Sequence, residues 1–70
     1  MKKYFYITVT VEENGKYYPY VIKVSENDNL QSKLNVKGLI HANIFPTKKK
    51  AYEICEFWRS CYKTNGTYLF

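Results

Sequence analysis

Two runs of alternating apolar and polar residues, Lys3 to Glu13 and Lys16 to Ser25, flank the pair Asn14-Gly15. That pair suits a two-residue type I′ turn, so the two runs predict a β-hairpin. The turn sets the pairing. It places Glu13 opposite Lys16, Val11 opposite Tyr18, Val9 opposite Tyr20, Ile7 opposite Ile22 and Phe5 opposite Val24. The other face receives Glu12–Tyr17, Thr10–Pro19, Thr8–Val21, Tyr6–Lys23 and Tyr4–Ser25. One face is apolar and the other is built from tyrosine, threonine and lysine. A slip of one residue would scramble both, so the alternation supports this register. Pro19 has no N–H to give to a ladder. Opposite Thr10 it falls in a non-hydrogen-bonded pair, where that group would point away from the first strand. The second strand is therefore expected at an edge and the first inside the sheet.

Ser25 to Leu34 is polar, with Ser25 and Asp28 spaced as a loose capping box and Leu30 four residues before Leu34, which predicts a short helix or helical turn. Asn35 to Gly38 breaks it. Leu39 to Phe45 alternates again, with Ile40, Ala42 and Ile44 on one face and Leu39, His41, Asn43 and Phe45 on the other, and Pro46 ends this third strand. Thr47 is a good N-cap for a helix over Lys48 to Thr64. Ala51, Ile54, Cys55, Trp58, Cys61 and Tyr62 fall on one stripe at helical period, with Phe57 on its flank and Trp58 as the central core residue. Asn65-Gly66 supplies the stop, and Thr67 to Phe70 predicts a last strand. The expected architecture is one small α+β domain over residues 1–70, ordered β-β-(α)-β-α-β, with the long C-terminal helix on one face of a hairpin-led sheet. The helix stripe is expected on Phe5, Ile7, Val9, Val11, Tyr18, Tyr20, Ile22 and Val24. If the last two strands share the sheet, the helix between them makes a right-handed crossover.

At 70 residues the chain is near the lower limit for unaided folding, but an aromatic content of 19%, with eight tyrosines, allows a bulky core. A net charge of +5 favours anionic partners, nucleic acid or an acidic protein surface, without choosing between them. No apolar run is long enough to span a bilayer. The opening Met1-Lys2-Lys3 is followed by alternating residues and Glu12-Glu13 rather than by the apolar stretch of a signal peptide. A cytoplasmic location is expected. Cys55 and Cys61, six apart on one helix, point about 120° away from each other and cannot bridge, which fits a reducing compartment. Asn65-Gly66-Thr67 matches a glycosylation acceptor that has no meaning without secretion.

Candidate chemistry concentrates in two places. With the helix on the apolar face, Tyr4, Tyr6, Thr8, Thr10, Tyr17, Val21 and Lys23 are expected on an open face, joined by His41, Asn43 and Tyr68. Aromatic rings interleaved with lysines on an open sheet suit single-stranded nucleic acid, with rings on bases and lysines on phosphates. The same residues are also good strand formers, and tyrosine-rich patches mark protein interfaces, including those of homodimers. The second place is Thr47-Lys48-Lys49-Lys50. Lysines in a first helical turn oppose the macrodipole, each at a cost of ~0.3 kcal/mol or more. Free amides with lysines at a helix start make an anion site; the plainer alternative is a solvated basic turn balanced by Glu53 and Glu56.

An enzyme is not expected. His41 is the only histidine, no His/Cys spacing resembles a metal site, and neither a glycine-rich phosphate loop nor a catalytic carboxylate pair is present, so no cofactor is called for. A nucleophilic pair of His41 with Cys55 or Cys61 would need a cysteine from the buried stripe, where cysteine behaves as a small hydrophobe.

The stretch Ala42-Asn43-Ile44-Phe45-Pro46-Thr47-Lys48-Lys49-Lys50-Ala51, continuing to Phe57-Trp58, resembles small uncharacterised proteins of mobile elements in gut Gram-positive bacteria. It covers under half the chain and includes the lysine turn. It implies a cytoplasmic accessory protein near DNA and carries over no activity. The expected function is a small binding module for nucleic acid through Lys48, Lys49 and Lys50 with Tyr4, Tyr6 and Lys23, or alternatively a homodimer that buries the tyrosine face.

Overall fold

A computed structural model describes residues 3–64. Strands β1 (Tyr4–Glu13) and β2 (Lys16–Ser25) form the hairpin in the register that the turn implies, from Tyr4 opposite Ser25 to Glu13 opposite Lys16. Asn14 and Gly15 both carry positive φ, at 53° and 79°, as a type I′ turn requires. The third strand, β3 (Leu39–Phe45), pairs antiparallel with β1, so the sheet order is β2-β1-β3 and Pro19 lies on an edge strand. Between β2 and β3 the chain turns at Ser25–Asp28 and forms one short helix, α1 (Leu30–Lys33). The Asp28 carboxylate accepts from the Ser25 N–H at 2.7 Å, but this closes the turn and not the helix. Asn29 caps α1 instead, accepting from the Ser32 N–H at 3.2 Å. The long helix, α2 (Lys48–Thr64), has the expected bounds. Its cap is Thr47, whose hydroxyl accepts from the Lys50 N–H at 3.3 Å. The expected Asn65-Gly66 stop, the last strand Thr67–Phe70, the crossover and Asn65 as a glycosylation acceptor all lie outside the described residues.

One expectation is overturned. The helix lies on the threonine and tyrosine face, not on the valine and isoleucine face. Thr8 and Thr10 are 0% exposed beneath it, and the Thr8 hydroxyl donates to the Ala51 carbonyl at 2.7 Å. The reason is steric and polar together. Short threonines opposite the small residues Ala51 and Cys55 let helix and sheet approach closely. The threonine methyls supply apolar surface, and the hydroxyl of Thr8 is satisfied by a helix carbonyl, which avoids the cost of a buried unpaired group. Bulky Tyr62 and Trp58 then meet aromatic partners further along the same face.

The valine and isoleucine face keeps its own core. Ile7, Val9 and Val24 are fully buried there, with Phe5, Val11, Tyr20, Ile22 and Ala42 around them and Leu34, at the end of α1, packed across them. Each buried Ile or Val contributes about 1.5–3 kcal/mol. Helix α2 thus covers one face, while on the other Leu34 packs over the central aliphatic residues and Ile40 and Ile44 stay exposed.

Where β3 begins, the register shifts between Thr10 and Val11: Thr10 faces His41 but Val11 faces Leu39, which leaves Ile40 as the extra residue of a bulge. Gly38 anchors this end, its carbonyl accepting from the Glu12 N–H at 2.7 Å, with φ at 82°. A Cβ on Gly38 would collide with the Glu12 carbonyl oxygen, whereas one on Gly15 would meet open space. Gly38→Ala is therefore expected to destabilise by roughly 1–3 kcal/mol and Gly15→Ala by less, read from urea midpoints. Thr8→Val, which keeps the shape and deletes the hydroxyl, is expected to cost about 1 kcal/mol in the same assay. A helix seated on the opposite face would make that change neutral.

Candidate nucleic-acid interface

The end of the sheet away from the hairpin turn carries Tyr4 and Tyr6 on β1, Lys23 on β2 and, after Phe45 and Pro46, the start of α2. Because α2 crosses the tyrosine face, its first turn comes down beside these strand residues. Tyr6, Val21, Lys23, Lys48 and Tyr52 line one open cleft of about 210 Å³. The Lys23 ammonium lies 4.2 Å from the centre of the Tyr4 ring, and the Lys48 ammonium 5.9 Å from that of Tyr52. Each lysine is thus held over a ring face by the attraction of a cation for a π-system, worth about 0.5–1 kcal/mol at an exposed site. Tyr4 and Tyr52 remain 44% and 46% exposed, so both rings keep surface for a ligand.

The two stretches singled out in the sequence therefore meet. Tyr6, Lys23 and Lys48 share the cleft, and Tyr4 adjoins it through Lys23. Lys49 and Lys50 are exposed on the same helical turn but do not line the cleft. Thr47 serves as the cap of α2, its hydroxyl engaged by the Lys50 amide. Tyr52 was not among the residues the sequence picked out. Its signal is its place one turn after Lys48, four residues on, off the apolar stripe and on the lysine side of the helix. The expected balance of the lysines by Glu53 and Glu56 is not what forms. Glu56 pairs with Arg59 at 2.8 Å, and Lys48, Lys49 and Lys50 make no ion pair among the described residues. Nearby, the Asp28 carboxylate is engaged by Ser25.

Much of the rest of the expected open face is covered, although Asn43 stays exposed. Thr8 and Thr10 lie under α2, and His41 is half-buried against it. The His41 Nε2 and the Tyr62 hydroxyl are 2.8 Å apart, and the His41 ring lies 4.8 Å from that of Trp58. Trp58 stacks on Tyr62 at 5.7 Å, and Tyr17 meets Tyr62 edge-on at 5.0 Å. Burial raises the Tyr62 phenol above its ordinary pKa; the Thr10 hydroxyl opposes the rise, though its geometry falls short of a formed hydrogen bond, while Tyr17 and Cys61 add to it. This cluster ties helix to sheet. Cys55 is buried and its thiol is pushed up by that burial, with Arg59 opposing and Glu56 assisting, which disfavours the thiolate a nucleophile needs. Among the described residues no group of three or more His, Cys, Asp or Glu side chains could hold a metal ion, and no helix is long and apolar enough to cross a membrane.

No family model, curated protein or solved structure matches the chain.

Burial lowers the His41 pKa from its ordinary 6.5, so the folded chain resists a proton that the unfolded chain accepts. Stability is therefore full above pH 6.5 and falls as the pH drops below it, toward the folded-state value. Urea unfolding followed across this range is expected to show that fall, and His41→Phe is expected to flatten it.

Proposed function

We propose that the protein is a binding module for single-stranded nucleic acid, acting without catalysis through the cleft of Tyr6, Lys23, Lys48 and Tyr52. The observation that carries this reading is the meeting, at one end of the sheet, of tyrosine rings and lysines drawn from two strands and the long helix. Stacking on an aromatic ring is open to any unpaired base and contributes about 1–3 kcal/mol per base, whereas a paired duplex hides its ring faces. The lysines supply the backbone contacts. Lys49 and Lys50, next to the cleft, extend the positive surface along a strand that continues past it, and the positive end of the helix dipole favours phosphate there. Free thiols at Cys55 and Cys61 accord with a cytoplasmic setting.

Fluorescence anisotropy with labelled oligonucleotides tests the reading. A single strand is expected to bind more tightly than the matching duplex. If Lys23, Lys48, Lys49 and Lys50 all meet phosphates, the logarithm of the affinity falls against the logarithm of salt with a slope of roughly −2.8. Lys48→Glu with Lys23→Glu is expected to abolish binding, and Tyr52→Ser to weaken it with little change in that slope. Equal affinity for strand and duplex, or indifference to the lysine changes, would overturn the assignment.

A further inference from the structure

The two edges of the sheet are unlike. On β2 the edge carries Pro19, Lys16 and Lys23, features that discourage another strand from joining. On β3, Leu39–Phe45 reads Leu-Ile-His-Ala-Asn-Ile-Phe, with no lysine, proline or carboxylate. Its apolar side chains are also unusually open: Ile44 is 51% and Ile40 47% exposed. Above the strand, the row of rings that starts at Tyr17 on β2 and passes Tyr62, Trp58 and His41 ends on Phe57, which is 55% exposed.

The direction of the free backbone groups follows from the hairpin. Its two-residue turn makes the odd-numbered residues of β1 bond to β2, so the even-numbered ones face β3. The Glu12 N–H, which donates to Gly38, obeys this alternation. Thr8 and Thr10 therefore bond across to Asn43 and His41, and Ala42 and Ile44 of β3 turn their N–H and C=O groups outward. The bulge sits at the first residues of the strand, and His41 to Phe45 run in unbroken register.

We propose that β3 pairs antiparallel with β3 of a second copy of this chain, making one six-stranded sheet across a two-fold axis. The strand is complementary to itself. A two-fold axis at Asn43 overlaps His41–Phe45, the part of the strand in unbroken register, and sets Ala42 opposite Ile44 of the other copy and His41 opposite Phe45. Every opposed pair belongs to one hydrogen-bonding class, which an antiparallel ladder demands. On a chain with net charge +5, two copies repel wherever lysines meet; this uncharged strand brings none together. The same lack of charge argues against an acidic partner, which would find its complement on the lysine end and not here. An isologous contact of this kind closes on itself and leaves the Tyr6–Lys48 cleft of each copy free.

Sedimentation equilibrium of the full chain tests the pairing. The wild-type chain is expected to sediment as a dimer, and Ile44→Lys, which places a charge on an already exposed position, as a monomer with unchanged far-UV circular dichroism. Ile44→Pro, which removes an outward N–H, is the second variant and is expected to lose the dimer as well. A wild-type chain that stays monomeric at every concentration overturns the proposal, as when residues 65–70 of the same chain or another protein take the edge. A dimer that survives both changes overturns it too, because the contact then lies elsewhere.

Discussion

The helix rests on the sheet through two threonines, and the rest of the molecule follows from that contact. Thr8 and Thr10 present short, half-apolar side chains on the central strand, and Ala51 and Cys55 present equally short ones on α2. The close approach they allow would strand a hydroxyl in a dry interface. The bond from Thr8 to the Ala51 carbonyl removes that difficulty at one of the two positions. Further along, where the separation grows, aromatic side chains fill it: Tyr17, His41, Trp58 and Tyr62 lean on one another around the polar contact between His41 and Tyr62. The interface is therefore tight and hydroxyl-bonded at one end and aromatic at the other.

That seating decides where ligand-facing surface remains. A helix laid over the tyrosine face removes its middle from water and leaves the end beyond Thr8, where Tyr4, Tyr6 and Lys23 project. The same helix delivers Lys48 and Tyr52 to that end. Lysines at a helix start are unfavourable for the helix by itself. Here one of them, Lys48, is held over the Tyr52 ring, which offsets part of the cost and also orients it. The opposite face stays a conventional aliphatic core under Leu34, and its margin along β3 is left open.

How much of this was legible in the residues differs from element to element. Asn14-Gly15 favours the hairpin, its full register and the division of β1 and β2 into two faces, because both residues readily take the positive φ that a type I′ turn requires. Pro19 places β2 at an edge. Thr47 and the apolar period of Lys48–Thr64 determine the long helix and its cap. Tyr6, Lys23 and Lys48 were all recognisable as candidates for anion and base contact. Tyr52 was not, since a lone exposed tyrosine on a helix has no meaning until something is set beside it.

What the sequence could not decide is which sheet face the helix would choose. Hydropathy favours the valine and isoleucine face, and a pattern of residues carries no information about how closely two surfaces can approach. Tertiary packing weighed small side chains against small side chains, found a carbonyl for the Thr8 hydroxyl, and left the larger aliphatic face to the α1 segment. The bulge at Ile40 and the contact of Gly38 with Glu12 are likewise settled only when two strands meet. Local backbone chemistry thus determined the elements and the hairpin register of this protein, whereas the joining of its two candidate sites into one cleft was decided by the face on which α2 came to rest.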